Sequence, residues 1–195
     1  MSKLELQDRA LKAGGVSYQE SLKALEMMPS MFVRMGHEEG CQELSRLFYN
    51  HVFDDSEAIW FLNIFSSSTR QEAIDNQYRF FVQTFGGPDL YRQKKGKYTR
   101  LVGRHANYRI NHRAADYWVQ HMKTAMEKHT HLRDDPEARD ALYLYFQYTA
   151  HYIVAASDYM RPDQVSVYVA KYRKVLSTPN SPYLSSLLLL RIYQS

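Results

Sequence analysis

Residues 69–88, TRQEAIDNQYRFFVQTFGGP, spell out a helix together with its start and its stop. Thr69 and Glu72 form a capping box, in which the hydroxyl of one and the carboxylate of the other satisfy each other's free backbone N–H groups. Ala73, Gln77 and Phe81 then fall on one line, with Ile74, Tyr78 and Phe85 beside them, a stripe the width of one buried helix face. Gly86-Gly87-Pro88 ends it, because glycine accepts the left-handed C-cap conformation and proline cannot extend a helix. Gln77 stands out on that apolar face, since a buried amide needs partners.

The same spacing runs outward in both directions, and sustained two-residue alternation is almost absent. Gly14-Gly15 precedes an amphipathic stretch at 17–28. Leu44, Leu47, Phe48 and Val52 stripe a helix ending at Asp54-Asp55, and Ser56 is placed to cap a short helix carrying Ile59, Trp60, Ile64 and Phe65. The polar stretch from Asp89 to Tyr98 reads as a loop, followed by a short helical piece ending near His105. Asn111 caps a helix with Ala115, Trp118, Met122 and Met126. Asp135 before Pro136 opens another, with Leu142, Phe146, Ala150 and Ile153 facing inward. Two more helices are expected at 164–177 and 182–193; Val165 to Val169 alternates but has no partner strand. The expected class is all-α, a helical sandwich around a pocket.

Composition narrows the function. A chain of 195 residues fits one domain with extensions, and 45% hydrophobic against 24% charged residues is an ordinary soluble balance. The net charge of +4 is spread among acids except for Arg92 to Lys97, so a nucleic-acid partner is not expected. Cys41 is the one cysteine, which rules out an internal disulfide and suits a reducing compartment. The N-terminal MSKLELQDR lacks a signal-peptide pattern, and the longest apolar run, Leu187 to Leu190, is too short for a bilayer. These point to a cytoplasmic protein without a membrane partner. Nucleophile triads, phosphate-binding glycine loops and paired zinc-ligand motifs do not stand out.

Phe48-Tyr49, Trp60-Phe-x-x-Ile-Phe65, Asn76-Gln-Tyr-x-Phe-Phe-Val-Gln83, Gly86-Gly-Pro-x-Leu-Tyr91, Gly103-Arg-His105 and Trp118-x-x-His-Met122 follow one another in that order. On these motifs the stretch from about 43 to 156 resembles group II truncated haemoglobins, especially the plant and algal branch. The resemblance implies a two-over-two globin sandwich holding haem b. The glycine pair then lets the proximal segment swing out as a loop before the iron-binding helix. It divides the chain into an N-terminal helical extension (1–30), a haem domain (31–156) and a C-terminal helical extension (157–195). The chain departs from the family at Gly36-His37, where Gly-Gly is frequent. One residue is inserted between Gly96 and His105, and Asn107-Tyr108 replaces a frequent Pro-Phe.

By the same resemblance His105 is the proximal iron ligand, and Tyr49, Gln77 and Trp118 point at the distal site. Ala73 sits where myoglobin-like globins place a distal histidine and is too small and apolar to bind iron. Phe65, Phe80, Phe81, Tyr108, Ile110 and Phe146 are implied pocket walls. Arg104 and Tyr91, with Arg100 behind them, are candidates for the haem propionates. Of the eight histidines, His37, His129 and His131 read as surface or satisfied core residues, and His112, His121 and His151 as structural. Cys41 reads as a small apolar interface residue. Phenol, amide and indole all offer donors to a ligand carrying partial negative charge. Read without the resemblance, Tyr49 and Trp118 are equally well core aromatics, and the arginines solvated surface groups.

Three functions compete. The first is a haem protein that binds dioxygen and similar ligands for storage, scavenging or gas and redox sensing. The second is an enzyme acting on nitric oxide or nitrite; it needs an external reductase, because no flavin or nicotinamide domain is recognisable. The third is a haem-free globin-like interaction module. Monomer and homodimer are both open.

Overall fold

The computed structural model describes residues 2–95, 101–105, 108 and 110–160. The helices expected at 164–177 and 182–193, the Val165 to Val169 run, Arg100 and the Arg104 side chain lie outside the described residues. Among the described residues the structure is helical, with no strand. No helix there is long and apolar enough to cross a membrane.

Helices α1 (Lys3–Gly14) and α2 (Tyr18–Arg34) each open with a serine–glutamate capping box, Ser2 with Glu5 and Ser17 with Glu20. The sequence reading stops the second helix at 28, ahead of Pro29, yet α2 runs on for another turn and a half. Pro29 removes one backbone donor, but Phe32 N–H nearby donates to Phe85 O at 2.9 Å, so packing against a neighbour carries the helix past the breaker. The 1–30 boundary therefore falls inside a helix.

Helix α3 (His37–Asp54) starts at a double left-handed step, Gly36 at φ 85° and His37 at φ 64°. Glycine adopts this freely, whereas a side chain there costs about 1–2 kcal/mol. His37 sets its ring edge-on against Phe32, centroids 5.2 Å apart. Helix α4 (Ile59–Leu62) is a single turn between two tight 3₁₀ turns. Its segment is capped by Asp55, whose carboxylate accepts Glu57 N–H at 3.0 Å, and not by Ser56 as the sequence suggested. One residue's difference decides it, because the cap must lie two residues before the N–H it receives here.

Helix α5 (Arg70–Thr84) has the expected ends. Thr69 N–H donates to Glu72 Oε2 at 2.9 Å, and Glu72 N–H to Thr69 Oγ1 at 3.2 Å. At the stop, Gly86 is left-handed at φ 96° and Gly87 N–H donates to Val82 O at 2.8 Å, the long bond of a Schellman motif. A Cβ on Gly86 would sit 2.3 Å from Pro29 O, so the turn also needs glycine for closeness. The expected loop after it contains helix α6 (Leu90–Lys95). Burial overrides propensity there: Tyr91 is 2% exposed, and Arg92 N–H is held by the Gln83 side chain at 2.9 Å. Helix α7 (Leu101–His105) is short. Helix α8 (His112–Lys128) is capped by Asn111, and α9 (Pro136–Met160) by Asp135, both as expected.

Helix α3 packs on α5, α8 packs on α9, and α3 crosses α8, giving two helix pairs face to face. Between them Phe81 lies against Phe85 (5.3 Å) and Phe146 (5.5 Å). Helices α1 and α2 both rest on α9. His129 is wholly buried and satisfied: Nε2 pairs with Gly40 O at 2.9 Å, and Nδ1 accepts the N–H groups of His131 and Leu132, each at 3.2 Å. Cys41 is fully buried, and burial pushes its thiol up to about 12, which makes it inert.

Arg34 ties α2 to the start of α9. Its Nε donates to Asp135 Oδ2 at 2.8 Å and its Nη2 to Glu137 at 2.9 Å, with a further bond to Asp135 Oδ1. That guanidinium holds the Asp135 carboxyl below its ordinary value. A carboxyl depressed on folding stabilises fully above its unfolded pKa of about 3.9 and loses that contribution as pH falls through the folded value. Asp135→Asn, which keeps the cap, is expected to cost about 1 kcal/mol at pH 7. In thermal melts the gap from wild type stays constant down to pH 4 and closes below it.

Candidate functional site

The two helix pairs part where small side chains stand in for large ones. Ala73 on α5, Ala114 and Ala115 on α8, and Ala150 on α9 all face one cavity of about 330 Å³. Much of the rest of the wall is apolar: Phe61, Ile64 and Phe65 from the α4 segment, Phe80 and Phe81 from α5, and Phe146, Ile153 and Val154 from α9. A cavity this size, lined mostly by aromatic carbon, is of the kind that binds a flat hydrophobic ligand.

Few polar groups enter it. Tyr49 on α3 is 7% exposed, wedged between Phe48 (4.9 Å) and Phe65 (5.7 Å), both edge-on. Trp118 on α8 is fixed between Phe48 (5.1 Å) and Phe146 (5.3 Å). Rings clamped in this way are pre-oriented before anything binds. Gln77 presents a buried amide oxygen with no hydrogen-bond partner among the described residues. Turning the amide over would offer N–H in its place. An unmet amide inside protein costs about 1–3 kcal/mol, so its position on the cavity needs a reason.

His105 is the imidazole on this wall. Its Nδ1 lies 2.8 Å from Leu101 O, one turn back. Donation to that carbonyl fixes the neutral tautomer and puts the lone pair on Nε2, the atom a metal takes. Among the described residues no three His, Cys, Asp or Glu side chains cluster as metal ligands. One imidazole in an apolar cavity therefore suits a metal that arrives inside its own macrocycle.

The cavity gathers Tyr49, Gln77, Trp118, His105, Ala73, Phe65, Phe80, Phe81, Tyr108, Ile110 and Phe146, all singled out in the sequence, from across the chain. It does not include Tyr91, which is buried behind the wall, edge-on to Phe80 at 5.8 Å. The structure adds Asn76 beside Gln77, Thr149 on α9, and Ser67 and Ser68 at the rim, where Ser67 Oγ meets Tyr108 Oη at 3.4 Å. Asn76 and Thr149 were detectable as polar residues within apolar stripes. Ser67 and Ser68 carried no periodic signal.

A model of the bacterial-like globin family matches residues 30–153, well over half of the chain. The two-on-two hemoglobin-3 of Arabidopsis thaliana is 38% identical over 153 residues, covering 78% of this chain and 83% of that protein. The chain belongs to the truncated-globin family. A group 2 truncated hemoglobin 3-1 from Lotus japonicus is 44% identical over 112 residues, 57% of this chain and 64% of that protein. Group 2 truncated hemoglobin YjbI of Bacillus subtilis is 34% identical over 83 residues, 43% of this chain and 60% of that protein. Family membership carries a haem cofactor with it, and the donor set of this globin fits one: one imidazole on the wall, a largely apolar shell and an amide oxygen without a partner among the described residues.

The unmet amide gives a prediction for the haem-free globin. Gln77→Met, which keeps volume and removes the orphaned group, is expected to raise unfolding stability by about 1 kcal/mol in urea melts. A loss of stability would mean that the amide is satisfied within the protein.

Proposed function

We propose that this globin holds haem b on His105 and binds dioxygen, nitric oxide and similar diatomic ligands under the donors of Tyr49, Gln77 and Trp118. One observation carries the reading: a buried amide without a partner shares a cavity with a histidine whose tautomer leaves Nε2 as the ligating atom. Bound haem supplies an iron with one open position for a small ligand.

The protein supplies the rest. His105 holds its ring in place through Leu101 O, and the aromatic shell excludes water and lowers the local dielectric. In that setting preorganised O–H and N–H groups stabilise partial negative charge on a ligand without reorganising. At about 1 kcal/mol per net hydrogen bond, two donors slow ligand release about thirtyfold. Ala73 has no side-chain donor or ligand atom, so it would leave its side of the cavity to exogenous molecules. Ser67, Ser68 and Tyr108 at the rim offer hydroxyls suited to propionates. Turnover of nitric oxide to nitrate would draw electrons from a separate reductase.

Haem reconstitution tests this directly. Wild type is expected to give a Soret band and five- or six-coordinate ferrous spectra that respond to carbon monoxide. His105→Ala is expected to lose that coordination, and an unchanged spectrum would remove the assignment. In stopped-flow release of dioxygen, Tyr49→Phe and Trp118→Phe should each accelerate release about fivefold; rates unchanged from wild type in both would remove the distal donors.

A further inference from the structure

Behind the cavity wall, on the outer face of α8, lies a cluster the proposed ligand chemistry does not use. Tyr117 Oη donates to Asp55 Oδ2 at 2.9 Å. His121 Nε2 lies 3.3 Å from the same oxygen but off the line of a hydrogen bond. The Tyr117 ring packs on Phe61 (5.2 Å), Trp60 (5.4 Å) and His121 (5.0 Å). Phe61 is itself part of the cavity wall, so a single ring separates Tyr117 from the cavity. On the other side Tyr117 and Trp60 are half-buried at the surface, and Arg113 covers the Trp60 ring at 4.4 Å.

A phenol at neutral pH gives up an electron readily only if its proton has somewhere to go, because the oxidised phenol is a strong acid. Tyr117 has a carboxylate already on its hydroxyl, with an imidazole next in line. A carboxylate that merely capped the α4 segment would need only Oδ1, which takes Glu57 N–H; Oδ2 is given to the phenol. We propose that Tyr117 is a redox-active tyrosine, passing electrons through Phe61 to haem in the cavity when peroxide is reduced there, with Asp55 taking its proton.

The inference rests on the haem reading. Each oxidation breaks the Tyr117 O–H bond, sending the electron to the cavity and the proton to Asp55. A one-electron organic reductant of the phenol class then restores Tyr117 by giving up its own electron and proton. Asp55 releases each proton to solvent before the next turn; over two turns hydrogen peroxide takes up two electrons through Tyr117 and two protons from solvent, its O–O bond breaks to give two waters, and two phenoxyl radicals leave. Tyr117 faces Asp55, Glu57 and His121 on one side and Arg113 on the other, so the acceptor side is the acidic one.

The test uses the haem-reconstituted full chain, mixed with hydrogen peroxide and frozen within seconds. Wild type should give a tyrosyl radical in electron paramagnetic resonance, with a spin-trap adduct located by mass spectrometry on the peptide holding Tyr117. Tyr117→Phe should keep the Soret band and the carbon monoxide spectrum and lose at least fivefold of the signal and the adduct. Asp55→Asn, which retains the Oδ1 cap, should make radical formation rise with pH between 5 and 8, where wild type is flat. A Soret band with an undiminished radical in Tyr117→Phe, or the same flat pH profile in Asp55→Asn, overturns this inference alone. Absence of a Soret band in wild type removes the haem reading, and this inference with it.

Discussion

His105 stands one turn after Leu101 on a helix five residues long, and its ring nitrogen leans back 2.8 Å onto the Leu101 carbonyl. A carbonyl has a second lone pair to spare, so this bond forms without breaking the helix. Its effect is chemical as well as geometric. Once Nδ1 holds the proton, Nε2 has no choice but to be the basic atom, and the neutral ring is the form that ligates a metal.

The second constraint is that the cavity must survive in a packed protein. Interiors close to organic-crystal density, and a void of about 330 Å³ persists only if its walls cannot collapse. Here they are braced by rings in edge-on and tilted contact. Phe48 supports both Tyr49 and Trp118, Phe146 supports Trp118 and Phe81, and Phe61 leans on Tyr117 and His121 outside. The alanines facing inward supply the space, and the rings around them keep it open. The same bracing places Tyr117 one ring away from the cavity, in contact with Phe61 of its wall.

The unsatisfied amide of Gln77 and the clamped rings of Tyr49 and Trp118 share a logic. The amide oxygen lacks a partner among the described residues, and the two rings are held in place by their aromatic neighbours. That is the general form of a preorganised binding site.

The sequence by itself determined the local ends of several helices and singled out candidate site residues. The Thr69–Glu72 box, the Gly86-Gly87-Pro88 stop, and the caps Asn111 and Asp135 act over three or four residues, and local chemistry is all they need. His105, Tyr49, Gln77 and Trp118 were legible through motif order. Tertiary structure alone decided whatever depends on contacts far apart in the chain. Helix α2 passes Pro29 because Phe85 O accepts from Phe32, and α6 forms because Tyr91 is buried; the same burial takes Tyr91 away from the cavity. Ser67 meets Tyr108 and Asp55 meets Tyr117 only once the layers have closed. Periodicity reports which face of a helix is apolar; only the folded chain decides what that face meets.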